Sequence, residues 1–327
     1  MTKTKQYALG LDIGGTNSVI GAVDKIGNLI SCDSVKTRDF ATVDEFADAV
    51  SAKAKALMSE IGDGWECVGL GVGAPNANYY TGTIDFAPNL PWKGIIIPLG
   101  KMFEERLAIP VILTNDANAA AVGEMVYGCA KGMKNFIMIT LGTGIGSGII
   151  IDGKLLHGFH GVAGELGHVI IDPNGRLCAC GRKGCLETYC SATGIANTAK
   201  ERVRNSDEPS LLRNIKVDEI TSKDIYDAAV KGDAMAIDIF RETGTILGRT
   251  LANFALFSDP EAIILFGGLA KSGDFIMKYT QQAMESTMLE LYKGNIKLMI
   301  SSLSDSNAAV LGASAMVWNN FYNLWQS

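Results

Sequence analysis

Four of the chain's seven cysteines fall between Gly167 and Cys190, in GHVIIDPNGRLCACGRKGCLETYC, with Glu165 just before the stretch and Glu187 within it. Such crowding suits a disulfide knot, a redox pair or a metal site. Redox chemistry of the thioredoxin type prefers C-x-x-C at a helix start, and CACGRKGC lacks that spacing. Zinc asks for four soft or borderline ligands in a tetrahedron, with close pairs drawn from one turn. His168, Cys178, Cys180 and Cys185 supply that set as H-x9-C-x-C-x4-C. Cys190 is a rival fourth ligand, but T-Y-C-S reads as helix rather than loop. One structural Zn²⁺ is the expectation. Cys32, Cys67 and Cys129 stand among apolar neighbours and are expected to pack as small buried hydrophobes. His157 and His160 are expected to be ordinary loop histidines.

A second set of residues suits anion binding. Glycine turns at strand ends let backbone N–H groups approach a phosphate with no Cβ in the way. LDIGGTN offers Gly14, Gly15, Thr16 and Asn17, and GTGIG offers Thr143 and Gly144. A glycine pair, Gly267 and Gly268, follows AIILF and leaves room for a ribose or a flat ring. No G-x-x-x-x-G-K-[ST] is present, and the Rossmann spacing fails, so neither of those nucleotide sites is expected.

These residues need strands to present them. LDIGGTNSVIGAVDKIGNL (11–29) and ITLGTGIGSGIIIDGKL (139–155) share one plan of strand, Gly/Thr turn, strand, Asp-x-x-Gly or Asp-Gly, Leu. Gly14 aligns with Gly142 and Asp24 with Asp152, while Asp12 has Thr140 as its counterpart. A repeated hairpin of this kind suggests duplicated α/β domains. Strands are expected at 7–13, 18–23, 67–75, 109–116 and 262–268, with a further strand, turn and strand over 135–156. Thr42 and Glu45 form a capping box before a helix, and 222–231, 234–257 and 307–318 read as helices. The fold class is therefore α/β.

Composition limits the rest. The 327 residues are 47% hydrophobic and 20% charged, and 29 Lys and Arg against 35 Asp and Glu leave a net charge of −6. That balance suits no nucleic-acid surface. No apolar run is long enough for a membrane span, and the N-terminal residues carry no apolar signal region. A cytoplasmic location is expected, where thiols stay reduced, so the disulfide reading falls.

Taken in order, LDIGGTN, NLPW, NDANAAA, GTGIGSGII, GELGH and CACGRKGCLE resemble the ROK family (repressor, open reading frame, kinase), and most of all its bacterial ATP-dependent glucokinases. The resemblance implies a two-lobed actin-like, ribonuclease-H-like sugar kinase fold with a zinc-binding loop. One lobe would run over 1–115 and regain a C-terminal helix over 312–327. The other would span 116–311 and carry the ATP site. It implies phosphorylation of a hexose at the 6-hydroxyl, glucose first, with N-acetylmannosamine, N-acetylglucosamine or fructose as alternatives. Asp116 would be the general base, and Asn89, Asn115, Glu165, His168 and Glu187 would contact the other hydroxyls. Asp12 would hold the phosphate-bound Mg²⁺ through water, Gly14–Asn17 and Thr143–Gly144 would be the phosphate loops, and Gly267–Gly268 the adenosine motif. Asp116 also suits a helix N-cap before ANAAAVGE. A homodimer is implied as well.

The pattern departs from the family once, at Gly73-Ala74-Pro75-Asn76, where G-x-P-G is usual. Asn tolerates the left-handed turn, and its side chain would narrow the sugar site or add a hydrogen bond. The family's repressors carry a helix-turn-helix domain, but here six residues precede the first expected strand. No DNA binding is expected, and a sugar-responsive regulator or non-catalytic sugar-binding protein fits Asp12, Asp116 and the paired turns less well.

Overall fold

The computed structural model describes residues 4–303 and 305–324, so residues 325–327 of the expected C-terminal helix lie outside the described residues. The chain divides into two compact units. The first comprises residues 1–133, 148–163 and 302–327, and the second residues 134–147 and 164–301.

The first unit is built on a five-stranded sheet. Its order is Leu29–Val35, Ser18–Asp24, Lys5–Ile13, Trp65–Gly73, Val111–Thr114. The first three strands are antiparallel neighbours, and the last two run parallel to Lys5–Ile13. The central strand is buried on both faces, with large side chains on one and small ones on the other. Tyr7, Leu9, Leu11 and Ile13 join Phe46, Val50 and Phe103 in the main core, whose helices are Val43–Ile61 and Leu99–Leu107. Ala8 and Gly10 face the C-terminal helix Asp305–Leu324 instead. A Cβ at Gly10 would lie 2.1 Å from the Val310 carbonyl oxygen, and one at Gly71 only 1.8 Å from that of Ala313. The helix therefore lies almost directly on backbone, which explains its run of small residues. Thr42 and Glu45 form the expected capping box.

The second sheet repeats the order of the first: Lys154–Leu155, Ile145–Ile151, Phe136–Leu141, Ala262–Phe266, Lys297–Ile300. Here too the fourth and fifth strands run parallel to the third, Phe136–Leu141. The two hairpins that look alike in sequence thus occupy the same place in two like-ordered sheets, in agreement with duplication. Helices Ala192–Asn205, Ser222–Val230, Ala234–Ser258 and Asp274–Thr287 complete the second unit.

Two expectations need correction. The stretch 109–116 is strand only over Val111–Thr114, because a helix begins at Asp116. Cys32 is exposed, and Cys67 and Cys129 are only half-buried. Cys32 lies on the edge strand Leu29–Val35, whose side chains alternate between partly covered and open. A small sheet of Ala77–Asn78, Thr83–Asp85 and Ile96–Ile97 has no counterpart among the expected elements, since strands this short carry no readable period. Among the described residues no helix is long and apolar enough to cross a membrane.

Candidate active site

Register explains why Asp12 and Asp116 belong together. Asp12 pairs with Gly73 on the neighbouring parallel strand, and Gly73 with Thr114 on the next. All three lie at the C-terminal ends of parallel strands, where open α/β sheets bind ligands. Two residues beyond Thr114, Asp116 opens helix Asp116–Val126. The helix N-cap is Asn115, not Asp116: the Asn115 Oδ1 accepts from the Asn118 N–H at 2.7 Å. The Asp116 carboxylate accepts from the adjacent Ala117 N–H at 2.8 Å.

Both carboxyls are held above the usual range. Asp12 is pushed up to about 6, by loss of water first and by the negative charge of Asp116 second. Asp116 is raised by the protein crowded around it, partly offset by backbone N–H groups. A carboxylate binds a cation or accepts a proton only when ionised, so a raised pKa in either group moves the acid limb of activity upward. We expect kcat/KM to fall as pH drops through about 6, the Asp12 value. An acid limb in the range of an ordinary carboxylate, near 4, would contradict this.

The first glycine turn is closed by the Gly14 N–H donating to the Asn17 carbonyl at 3.1 Å, with Thr16 and Asn17 exposed. A Cβ on Gly15 would sit 2.3 Å from the Asn89 carbonyl oxygen. The NLPW segment is therefore packed directly on the turn, a link between two distant motifs. Gly15→Ala must displace one of them, and is expected to raise the nucleotide KM severalfold and to lower the melting temperature. An unchanged KM in steady-state kinetics would separate the turn from nucleotide binding.

Asn76 adopts φ +52°, as the departure from the family pattern required. Its side-chain amide donates to the Asp85 carbonyl at 3.0 Å, and its own carbonyl accepts from the Asp85 N–H at 3.0 Å. The side chain is thus tied to the strand Thr83–Asp85.

In the second unit, the Gly142 N–H donates to the Gly144 carbonyl at 3.1 Å, and the Thr140 Oγ1 accepts from the Gly146 N–H at 3.0 Å. Glu187 joins this turn to the cysteine loop. Its Oε2 lies 3.4 Å from the Ile145 nitrogen, and its Oε1 lies 3.0 Å from the Cys178 Sγ and 3.6 Å from the His168 Nδ1. The ligand atoms of His168, Cys178, Cys180 and Cys185 all fall within 4.8 Å of one another. Zn–S bonds of about 2.3 Å in a tetrahedron place two sulfurs about 3.8 Å apart. Cys180 Sγ and Cys185 Sγ are 3.7 Å apart, and Cys178 Sγ lies 3.6 Å from His168 Nδ1. The quartet fits zinc. The rival Cys190 is buried in the short helix Glu187–Cys190, where its thiol points to the Thr243 carbonyl.

The His168 Nε2 faces away from the quartet, 3.9 Å from Glu165 Oε2. Ser147 holds the GELGH segment in place: its hydroxyl bonds the Gly164 carbonyl and accepts from the Leu166 N–H at 3.2 Å. Arg176 anchors the cysteine loop, donating to the Thr188 and Gly194 carbonyls and to Glu201 while lying 4.5 Å over the Tyr189 ring. Neither Ser147 nor Arg176 has a motif that announces it. Gly267 takes φ +100°, and a Cβ there would lie 2.8 Å from the Leu141 carbonyl oxygen; Gly268 opens onto a cavity of about 280 Å³ lined by Lys223, Tyr226, Phe240, Leu269 and Ser272. His157 is stacked on Tyr79 at 3.7 Å, and burial lowers its pKa; it takes no part in the cysteine cluster.

The ROK family matches residues 8–320. The glucokinase of Halalkalibacterium halodurans is 36% identical over 319 residues, covering 95% of this chain and 95% of that protein. A crystal structure of a ROK family glucokinase from Streptomyces griseus in complex with glucose and AMPPNP is 36% identical, with a TM-score of 0.77 over 95% of this chain and 98% of that one. A ROK family transcriptional regulator, a homologue of the E. coli MLC protein, gives a TM-score of 0.86 at 25% identity, covering 98% of this chain and 79% of that one. The fold is thus the actin-like fold of the ROK sugar kinases, as the motifs implied. Matched along nearly its whole length, with both glycine turns and the cysteine quartet in place, the chain belongs to the ROK family.

Proposed function

We propose that the chain is an ATP-dependent glucokinase that transfers the γ-phosphoryl group of ATP to the 6-hydroxyl of glucose. The observation that carries the reaction class is Asp116, a carboxylate relieved of capping by Asn115 and raised above the usual carboxylate range by burial. Glucose as substrate rests on the glucokinase relatives at 36–37% identity. Asp116 takes the hydroxyl proton as the bond to phosphorus forms.

The sugar's other hydroxyls fall to Asn89, Asn115, Glu165, His168 and Glu187. Asn115 spends its Oδ1 on the helix cap and keeps its amide N–H groups for a hydroxyl. His168 turns Nδ1 to the cysteines and Nε2 outward, and that outward nitrogen is the one free to donate. Gly14 closes the turn with its own N–H, and Gly15, Thr16 and Asn17, with Thr143 and Gly144, would hold the phosphates through backbone N–H groups. Gly267, Gly268 and the adjoining cavity take the adenosine, with Tyr226 and Phe240 as apolar walls. Asp12 holds the nucleotide's Mg²⁺ through water, and Mg²⁺ supplies charge neutralisation on the phosphates. His168, Cys178, Cys180 and Cys185 would hold a Zn²⁺ in a structural role, ordering the loop rather than supplying a reactive water.

We place the protein in the cytoplasm, as a homodimer, as the family resemblance implies. The decisive assay is ADP release with ATP and Mg²⁺ across glucose, fructose, N-acetylglucosamine and N-acetylmannosamine. Glucose is expected to give the highest kcat/KM. No sugar-dependent ADP release with any of the four would overturn the reading.

A further inference from the structure

A second polar cavity lies away from every residue assigned above. Its volume is about 440 Å³, and its lining includes Arg241, Thr245, Arg249, Tyr279, Gln282 and Ser286, with no acidic side chain. That volume is within the range of about 300–1,000 Å³ usual for small-molecule sites. The spacing shows how it forms. Arg241, Thr245 and Arg249 stand four residues apart on helix Ala234–Ser258, and Tyr279, Gln282 and Ser286 lie three and four apart on helix Asp274–Thr287. Such intervals put each trio on a single helix face. The helices are drawn together beside the groove by glycine: a Cβ at Gly248 would fall 2.2 Å from the Thr280 carbonyl oxygen.

Charge is uneven here. Arg241 pairs with Asp238 at 2.7 Å and lies over the Tyr279 ring, and Lys278 stands 5.8 Å from the same ring. Arg249 is exposed and has no carboxylate within ion-pairing distance among the described residues. Nearby acids are engaged elsewhere: Glu242 with Arg202 at 2.8 Å, and Glu285 with the Gly294 N–H at 3.1 Å. Arg241, Arg249 and Lys278 therefore stand against Asp238 and Glu285, a local excess of positive charge in a protein whose net charge is −6. The Cα atoms of Arg241 and Arg249 are about 12 Å apart along the helix, so their long side chains can close on one group held over Thr245. The Thr245 and Ser286 hydroxyls already donate to the Arg241 and Ala283 carbonyls, which leaves the guanidinium groups and the Gln282 amide as donors.

We infer that this groove is a binding site for a phosphate monoester or inorganic phosphate, gripped between Arg241 and Arg249. Planar guanidinium forks match phosphate oxygens in pairs, which a lysine cannot do. The site is separate from the glycine turns and calls for no chemistry.

The test is calorimetric titration of the full chain with glucose saturating the sugar site. Inorganic phosphate and glucose 6-phosphate serve as separate probes, for the wild type and for Arg249→Gln. Saturable binding is expected, weakened at least about tenfold in the variant by loss of one charge-assisted pair. The kcat and the KM values for glucose and ATP should not change. Whichever probe titrates more tightly identifies the source of the phosphate. Absence of saturable binding by both probes at millimolar concentration, or equal affinity in wild type and Arg249→Gln, overturns the inference. Thermal unfolding of the variant, expected to match the wild type, verifies that an observed loss is local.

Discussion

Asp116→Asn is expected to lower kcat by about 10²–10⁴ while leaving the glucose KM nearly unchanged. The substitution is close to isosteric, so the hydrogen bond from Ala117 and the path of the helix should persist. Two smaller effects on stability oppose each other. Loss of a negative charge at a helix N-terminus costs about 0.3–1 kcal/mol. Removing a carboxylate that sits in crowded surroundings beside Asp12 returns some of it, because both groups are ionised at a cost. The melting temperature should therefore barely move. Asn115→Ala is the informative contrast: it deletes the actual cap and should cost about 1 kcal/mol in denaturant titrations. A near-normal kcat in Asp116→Asn would remove the base assignment, and the carboxylate would then need another role, since it does not cap.

Cys180→Ser is expected to abolish metal binding and raise the glucose KM steeply. A structural zinc site contributes on the order of 10 kcal/mol to local folding, far more than the loop's own hydrogen bonds. Those bonds are unevenly placed. Arg176 ties the loop to the Thr188 and Gly194 carbonyls, whereas at the tip the Cys180 N–H reaches the Cys178 Sγ at 3.4 Å, a contact within the loop itself. Loss of metal should loosen the tip and let the His168 ring turn, so that Nε2 no longer faces a sugar hydroxyl. The ATP KM should rise less, through Glu187, whose Oε2 touches the second glycine turn. Mass spectrometry of the native wild type should find one zinc per chain. A wild type without zinc, or a zinc-free variant with unaltered glucose KM, would defeat the assignment.

The cysteine quartet was legible because its ligands are close in sequence, and the spacing alone limits where four side chains can meet. The hairpin repeat was legible for a similar reason, and the two sheets carry it in the same order. Asn115 and Asp116 are harder, since either residue type caps a helix. Which one does depends on where the strand Val111–Thr114 ends, and an apolar run that leads into two polar residues does not say. The cavity beside Gly268 was invisible because Tyr226 and Phe240 come from separate amphipathic helices, whose pattern marks a buried face but not what that face borders. The contact between Gly15 and the Asn89 carbonyl joins residues far apart in sequence, and a glycine does not announce the neighbour it makes room for.

Duplication also left the two hairpins chemically unequal. Asp12 in the first corresponds to Thr140 in the second, where the Thr140 hydroxyl closes its own turn by accepting from the Gly146 N–H. One copy carries a carboxylate at its turn, and the other a neutral hydroxyl that its own turn uses. A carboxylate placed at position 140 would repel any anion held at that turn and deprive Gly146 of its hydroxyl partner.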